Sequence, residues 1–151
     1  MEISLLADCP GDAPQVAKWY YEQWEINNPE SSVEKITEKI LLGTQRGQLP
    51  IAFVVHMDGQ LVGAGEVKYR ELPQYPGFNH WLDGVYVPSE HRGKGISTLL
   101  INFADSTAKE CGVKDLYLRC EEHNVKLYEK YGYKVVLTEE NKSIMKRVIS
   151  D

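Results

Sequence analysis

The sequence contains only three cysteines among its 151 residues, Cys9, Cys111 and Cys120. Their number is odd, and their spacing matches no zinc or disulfide-exchange motif. The simplest interpretation is three reduced thiols in a reducing compartment, because disulfides are rare where glutathione and thioredoxin keep thiols reduced. The sequence therefore predicts neither a disulfide scaffold nor a bound metal.

Long apolar runs and a surplus of basic residues are also missing. No stretch approaches the roughly 18 to 20 apolar residues that cross a bilayer, and Glu2 and Asp8 stand where a signal peptide has a basic flank. These absences predict a cytoplasmic protein without a membrane partner. Seventeen basic residues against 22 acidic ones give a net charge of −5. This balance disfavours nucleic acid as a partner, because non-specific binding depends on phosphate neutralisation by a basic face.

What is present is the composition of an ordinary globular domain. The chain is 42% hydrophobic and 26% charged, which is typical of a packed fold and unlike a disordered or fibrous chain. A chain of 151 residues is long enough for one core that buries roughly two thirds of its unfolded surface. We therefore expect a single domain over residues 1–151.

Hydrophobic periodicity predicts a mixed α/β (α+β) order of elements. Strands are expected at 3–6, 51–57, 60–69, 81–87, 115–120, 133–138 and 143–149, and helices at 13–25, from Ser31 or Ser32 to about 41, at 95–111 and at 124–131. Asp58-Gly59 is the dipeptide best suited to a tight hairpin. Strands joined without helices are antiparallel, while the helix at 95–111 supplies one parallel crossover. The predicted fold is a mostly antiparallel sheet of six to seven strands with about four helices.

The segment 85–97 is the most informative for chemistry. A strand leads into a turn that contains Gly93 and Gly95, and a long helix begins at once, so backbone amides at the helix N-terminus can converge on one anion. Glycine lets an anion approach the backbone, and Arg92 and Lys94 add positive charge. A glycine turn that serves only the local backbone is the alternative. The spacing is neither that of a Walker loop nor that of a dinucleotide fingerprint, so ATP, GTP and NAD are not expected.

Two segments carry paired motifs. Val85-Tyr86-Val87-Pro88 precedes Arg92-Gly93-Lys94-Gly95-Ile96-Ser97, and Asn124 precedes Leu127-Tyr128-Glu129-Lys130-Tyr131-Gly132-Tyr133. Both motifs, and the order of elements over the whole chain, resemble the GNAT superfamily of N-acetyltransferases. The family's acyl-CoA signature is Arg or Gln, two residues, Gly, one residue, then Gly or Ala. Arg92 and Gly95 fit it, and Ser97 replaces the final small residue.

The resemblance implies acetyl-CoA as the co-substrate. The residues that would contact it are Val85, Tyr86, Val87, Arg92, Gly93, Lys94, Gly95, Ile96, Ser97 and Asn124. Amides of the turn at 92–97 would hold the pyrophosphate, and the strand edge at 85–87 and Asn124 would bind the pantetheine arm. Tyr128 would lie near the sulfur and act as the general acid for the departing thiolate, after direct attack by an amine. The alternative for Tyr128 is an aromatic side chain that only packs beneath the sheet.

The general base is less well defined by the sequence. Asp83 shares the strand parity of Val85, and His80 and Glu66 are close in the predicted sheet, so each could take the proton of the amine directly or through water. Asp83 is the preferred catalytic candidate. Its alternative role is structural, as an acceptor for the backbone beside Gly84.

The acceptor pocket is expected between the first two helices, the loop at 71–80 and the strand that carries Trp81. Its predicted walls are the aromatic side chains Tyr20, Trp24, Phe78 and Trp81. Aromatic walls with acidic neighbours suit a cationic amine. Trp24 fits equally well in the ordinary apolar stripe of an amphipathic helix.

The combined prediction is an N-acetyltransferase that moves an acetyl group from acetyl-CoA to a primary amine of a small molecule. One alternative is acetylation of a protein N-terminus or a lysine side chain, which would need an open groove where the 71–80 loop lies. Another is a non-catalytic module that binds acyl-CoA. The sequence leaves the identity of the amine and the formation of a homodimer open.

Overall fold

The computed structural model describes residues 1–149, in which seven strands form one mixed sheet. The strands are β1 (Glu2–Leu5), β2 (Ile51–Met57), β3 (Gln60–Tyr69), β4 (His80–Tyr86), β5 (Asp115–Glu121), β6 (Lys134–Glu139) and β7 (Lys142–Val148). Their order across the sheet is β1-β2-β3-β4-β5-β7-β6. The β4–β5 pair is parallel and the other neighbouring pairs are antiparallel. The predicted mixed, mostly antiparallel sheet is confirmed.

Four α-helices accompany the sheet in this part of the chain. They are α1 (Ala13–Tyr20), α2 (Val33–Leu41), α3 (Ile96–Glu110) and α4 (Val125–Glu129). The helix expected at 13–25 ends as an α-helix at Tyr20 and continues as a wider π-helical turn over Tyr21–Glu25. Of the two serines considered as the start of α2, Ser32 is the N-cap, and its hydroxyl accepts a hydrogen bond from the amide of Lys35 at 3.1 Å. None of the helices described has the length and apolar character needed to cross a membrane.

The hairpin between β2 and β3 forms where the sequence predicts it. Asp58 (φ 53°) and Gly59 (φ 77°) both adopt left-handed backbone conformations. Two consecutive positive φ angles define the tight turn whose twist matches that of paired strands. The hairpin pairs Met57 with Gln60, and a one-residue register shift between His56 and Val55 then places Glu66 opposite Ala52.

The two faces of the sheet bury different cores. On one face, α3 packs Leu100 against strand residues that include Val55 and Leu82. On the opposite face, α1 and α2 pack against Val54 and Ala64. Because successive side chains point to opposite faces of a strand, neighbouring valines of β2 belong to different cores. The nearly continuous apolar run of β2 is therefore that of a strand buried on both faces.

The sheet opens between β4 and β5. These two parallel strands share a single registered pair, Trp81 with Tyr117. The ladder between β3 and β4 is irregular between Ala64 and Glu66, and Gly84 has a positive φ of 62°, which is the type of irregularity that bends a strand. Because parallel strands end at the same edge of a sheet, the start of α3 and the start of α4 lie on the two sides of this opening.

Candidate active site

The turn between β4 and α3 presents backbone amides to an open space. Gly93 (φ 81°) and Gly95 (φ 82°) are both left-handed, a conformation that costs other residues roughly 1–2 kcal/mol. Gly95 is the N-cap of α3, and the first turn of α3 carries no acidic side chain. A Cβ atom at either glycine would meet nothing within 4 Å. The first amides of α3 therefore face open space without a carboxylate competitor, which is the arrangement of an anion site.

The basic side chains of the turn are partly engaged with the protein. The Nε atom of Arg92 donates a hydrogen bond to the carbonyl of Val87 at 3.1 Å. Nζ of Lys94 lies 3.4 Å from Nδ1 of His91, which is buried. These contacts fasten the turn to the end of β4 and keep two positive charges next to the N-terminus of α3.

The opposite side of the opening is formed by the chain after β5. Asn124 precedes α4, and its side chain makes no capping hydrogen bond to that helix. Tyr128 lies on α4, is partly buried, and packs edge-on against Tyr133 with ring centroids 5.9 Å apart. Burial raises the pKa of Tyr128 to about 12, and the nearby Cys120 adds to the effect. The phenol is therefore protonated at neutral pH and available as a hydrogen-bond donor.

A buried carboxylate lies on the face of the sheet that carries α1 and α2. Glu66 on β3 is only 4% exposed and stands opposite Asp83 in the β3–β4 ladder. Burial raises the pKa of Glu66 to about 7; Lys68 opposes this effect and Asp83 adds to it. Nζ of Lys68 lies 3.4 Å from Oε2 of Glu66 and 3.6 Å from Oδ2 of Asp83. A pKa in this range suits a group that accepts a proton at neutral pH.

Asp83 has different surroundings. Its Oδ2 atom lies 3.0 Å from the guanidinium of Arg70, and its Oδ1 atom accepts a hydrogen bond from the amide of Gly84 at 2.9 Å. Asp83 thus accepts a hydrogen bond from the backbone beside Gly84, which is the structural role that the sequence offers as its alternative. Its role as the general base stays a prediction. His80 lies at the start of β4, and its ring packs edge-on against that of Tyr69, with ring centroids 5.4 Å apart.

The first pair of predicted pocket residues lies beside α1. The ring centroids of Tyr20 and Trp24 are 5.3 Å apart, and those of Trp24 and Tyr86, which pack edge-on, are 6.2 Å apart. The hydroxyl of Tyr20 rests against Gly84, where an added Cβ would come within 2.5 Å of it. Within residues 1–149 this buried hydroxyl has no hydrogen-bond partner. Burial and the nearby Glu66 and Asp83 hold the pKa of Tyr20 well above its ordinary value.

The second pair lies under the loop between β3 and β4. Phe78 stacks on Tyr117 with centroids 4.2 Å apart, and Trp81 lies 5.8 Å from the same ring. Trp81 stands opposite Lys68 in the ladder, and Asp83 follows it by two positions. The structure therefore brings the four predicted aromatics together only in pairs. Tyr20 and Trp81 are buried in two different apolar clusters.

The sequence does not single out two features of this site. It favours Asp83 over Glu66 as the base, and it does not predict that Gly84 lies against the hydroxyl of Tyr20. The sequence does contain an indication that Glu66 is unusual, because it is the one charged residue in the run Leu61–Val67. A carboxylate inside an apolar strand is costly unless the environment changes its ionisation or pairs it.

The segment that contains these groups has a family match. Residues 13–133 match the profile described as the Acetyltransferase (GNAT) family. The chain belongs to the GNAT acetyltransferase family. The resemblance and the fold predicted from sequence are both confirmed, and the protein is an acyl-CoA-dependent N-acyltransferase. No curated protein matches the sequence.

Solved structures of other N-acetyltransferases are similar to this acetyltransferase over its whole length. An aminoglycoside 6'-N-acetyltransferase complexed with coenzyme A has a TM-score of 0.77 and 22% identity, covering 100% of this chain and 98% of the other. An aminoglycoside 6'-acetyltransferase type Ii has a TM-score of 0.73 and 26% identity, covering 100% and 99%. The ribosomal-protein-alanine N-acetyltransferase from Brucella melitensis has a TM-score of 0.77 and 20% identity, covering 98% and 99%.

In this acetyltransferase the residues predicted to contact acetyl-CoA converge on the β4–β5 opening. The strand end at 85–87 and the turn at 92–97 lie on one side, and Asn124 and Tyr128 lie on the other. Val87 is buried, whereas Val85 and Tyr86 are partly exposed. The contacts of these residues with acetyl-CoA and their individual roles stay predictions.

Proposed function

We propose that this acetyltransferase moves the acetyl group of acetyl-CoA to a primary amine of a small cationic molecule. The observation that carries the proposal is the carboxylate pair Glu66 and Asp83, which stand opposite each other in the β3–β4 ladder with Tyr20 nearby. A carboxylate pair attracts an ammonium group, and an aromatic ring beside it adds cation–π contacts. The aminoglycoside acetyltransferases among the similar structures support a small amine as the acceptor class.

The turn at 92–97 is proposed to bind the pyrophosphate of acetyl-CoA. The residues present fit this group, because Gly93 and Gly95 leave open space before the first amides of α3. Arg92 and Lys94 would neutralise part of the phosphate charge. Within residues 1–149 the one registered pair between β4 and β5 is Trp81 with Tyr117, so the segment 85–87 has no partner in β5. This segment and Asn124 would bind the pantetheine amides. Bound in this way, acetyl-CoA supplies an activated acyl group as a thioester.

Glu66 is proposed as the general base. An amine with a pKa near 10 must lose a proton before it can attack the thioester carbonyl, and a carboxylate with a pKa of about 7 can accept that proton directly or through water. Asp83 is proposed to help hold the ammonium group and to keep the pKa of Glu66 high by its negative charge. Lys68 keeps the ionised form of Glu66 from becoming prohibitively costly.

Tyr128 is proposed to stabilise the leaving sulfur. Its phenol has a pKa of about 12 and is protonated at neutral pH. Complete proton transfer to a free thiolate with a pKa near 8.5 would be unfavourable. A hydrogen bond that strengthens as negative charge develops on sulfur is favourable, because it acts more strongly in the transition state than in the ground state.

The loop between β3 and β4 supports a small acceptor over a protein chain. Trp81 donates its indole hydrogen bond to the carbonyl of Phe78 at 2.8 Å, and the Tyr75 hydroxyl is bonded to Glu139 on β6. Tyr75 is buried in the same aromatic group. A peptide substrate would need an open groove where this hydrogen-bonded loop lies. Acetylation of a protein N-terminus or lysine is therefore the less favoured function.

The proposed function is tested by screening a panel of amines for release of CoA thiol. Turnover of small polyamines or amino sugars, with little turnover of peptides, supports the proposal. Turnover of peptides alone would favour the protein-directed alternative. Calorimetry that detects acetyl-CoA binding without CoA release from any amine would favour the non-catalytic module instead.

A homodimer and a cytoplasmic location are proposed as secondary features. One edge strand of the sheet, β6, exposes Val135, Val136 and Leu137 by 39–44% each. An exposed apolar edge strand is a common site for pairing with a second copy. Light scattering that gives twice the mass of 17.2 kDa would support the dimer, and a monomer mass at high concentration would exclude it.

A further inference from the structure

Three side chains with metal-binding chemistry meet near the N-terminus, away from the site described above. Cys9, Asp12 and His56 each offer one ligand atom, and these atoms all lie within 4.8 Å of one another. Cys9 and Asp12 belong to the short turn that precedes α1, and His56 lies near the end of β2. The cluster therefore joins the start of a helix to the central sheet.

The side chains of this cluster contact mainly one another. Oδ2 of Asp12 lies 2.8 Å from Nε2 of His56, yet within residues 1–149 this buried oxygen has no hydrogen bond of acceptable geometry. The thiol of Cys9 makes one long contact, 3.5 Å, to the carbonyl oxygen of Leu5. A buried polar atom without a hydrogen bond is costly and signals an absent ligand or water.

The chemistry of the three groups is that of a zinc site. Thiolate, imidazole and carboxylate are the ligands of Zn²⁺ in proteins, at bond lengths of roughly 2.0–2.3 Å. A tetrahedral site with such bonds needs ligand atoms roughly 3.4–3.7 Å apart, so small side-chain rotations are sufficient. The side chains of Asp12 and His56 are each 25% exposed, which leaves access for the ion and for a water ligand. Glu2 stands opposite His56 in the β1–β2 ladder and adds negative charge.

We propose that Cys9, Asp12 and His56 bind one Zn²⁺ ion with water as the fourth ligand. The ion fastens the start of α1 to β2. It takes no part in acetyl transfer, because Glu66 stands opposite Ala52 on β2, and four strand positions separate Ala52 from His56 by roughly 13 Å. The sequence shows no metal motif here, because two of the three proposed ligands are not cysteines. His56 also follows Asp12 by 44 positions, so the ligands form no short-range pattern.

Cobalt titration of the metal-stripped full chain tests the proposal without any activity assay. Co²⁺ should bind in a one-to-one ratio and give a thiolate-to-cobalt charge-transfer band. The variant Cys9→Ser should lose this band. Cys111→Ser is the matched control, because Cys111 is also a free, partly exposed thiol, and it should keep the band at full intensity.

Zinc affinity provides the second readout, which remains informative if one variant folds poorly. His56→Gln and Asp12→Asn should each weaken Zn²⁺ binding tenfold or more, whereas His123→Gln, at an exposed histidine, should not change it. Free Zn²⁺ at a hundredfold excess over Kd should raise the Tm of the unaltered protein by roughly 5 °C or more. The proposal is overturned if neither ion binds in large excess, or if Cys9→Ser and His56→Gln bind as well as the unaltered chain.

Discussion

Replacement of Glu66 by Gln gives the sharpest prediction about catalysis. General bases contribute roughly 10²–10⁴-fold to rate, so kcat/KM for an amine should fall by about that factor. In the unaltered enzyme kcat/KM should rise with pH through an apparent pKa near 7, because Glu66 becomes an active base only when ionised. Glu66→Gln should abolish this rise and leave only the limb that reports the amine near pH 10.

The same substitution has a second, independent consequence for stability. The pKa of Glu66 rises from 4.5 in the unfolded chain to about 7 in the folded one, and 1.36 kcal/mol per pH unit makes the folded-state penalty about 3 kcal/mol. The folded state binds this proton more tightly, so stability falls as pH rises from about 4.5 to 7 and stays low above that range. Gln carries no charge, so Glu66→Gln should be the more stable form above pH 7, by roughly 1–3 kcal/mol after the loss of a partner for Lys68.

The assays are CoA release across pH 5.5–9 and denaturant unfolding at pH 5 and pH 8. Asp83→Asn is the matched comparison. It removes a negative charge that raises the pKa of Glu66. The rise of kcat/KM near pH 7 should therefore move to lower pH but persist. The other groups near Glu66 are Lys68, Arg70 and Tyr20. If Glu66→Gln keeps the limb near pH 7 while Asp83→Asn loses it, Asp83 is the base and the reasoning from burial is refuted.

Three further substitutions test other parts of the site. Tyr128→Phe should lower kcat by about 10- to 100-fold, the effect of one hydrogen bond to a developing charge, with acetyl-CoA affinity by calorimetry unchanged within about twofold. Gly95→Ala should cost about 1–2 kcal/mol in unfolding free energy, because its φ is 82°, and should raise the KM for acetyl-CoA. Tyr20→Phe should leave stability unchanged or raise it by up to about 1 kcal/mol, since its buried hydroxyl lacks a partner.

The controls for these substitutions come from the same chain. Gly11→Ala should be close to neutral, because a Cβ there meets nothing within 4 Å and its φ is not in the left-handed region. Tyr131→Phe alters a second partly buried tyrosine just after α4, whose hydroxyl is hydrogen-bonded to Thr98, and should leave kcat unchanged. Equal kcat in Tyr128→Phe and in the unaltered enzyme would remove Tyr128 from the mechanism. Full acetyl-CoA affinity in Gly95→Ala would argue against the proposed pyrophosphate site.

Features that depend on neighbours in sequence were predictable from the residues alone. Asp58-Gly59 predicted the β2–β3 hairpin, because consecutive positive φ angles are cheapest for such a pair. Gly93 and Gly95 predicted an open turn before a long helix. The boundary of α1 was less accurate, since nothing local in the sequence shows that its last turn widens into a π-helix over Tyr21–Glu25.

Features that depend on long-range contacts required the tertiary structure. The pKa of Glu66 follows from what covers it, and a sequence contains no direct measure of burial. The separation of Tyr20 and Trp24 from Phe78 and Trp81 follows from which elements lie over which strands. The sequence by itself determined the order of elements, the glycine turn before α3 and the family, because each depends on a short-range residue pattern. Only the fold decided which charges lose water and which distant ligands meet, because both depend on residues far apart along the chain.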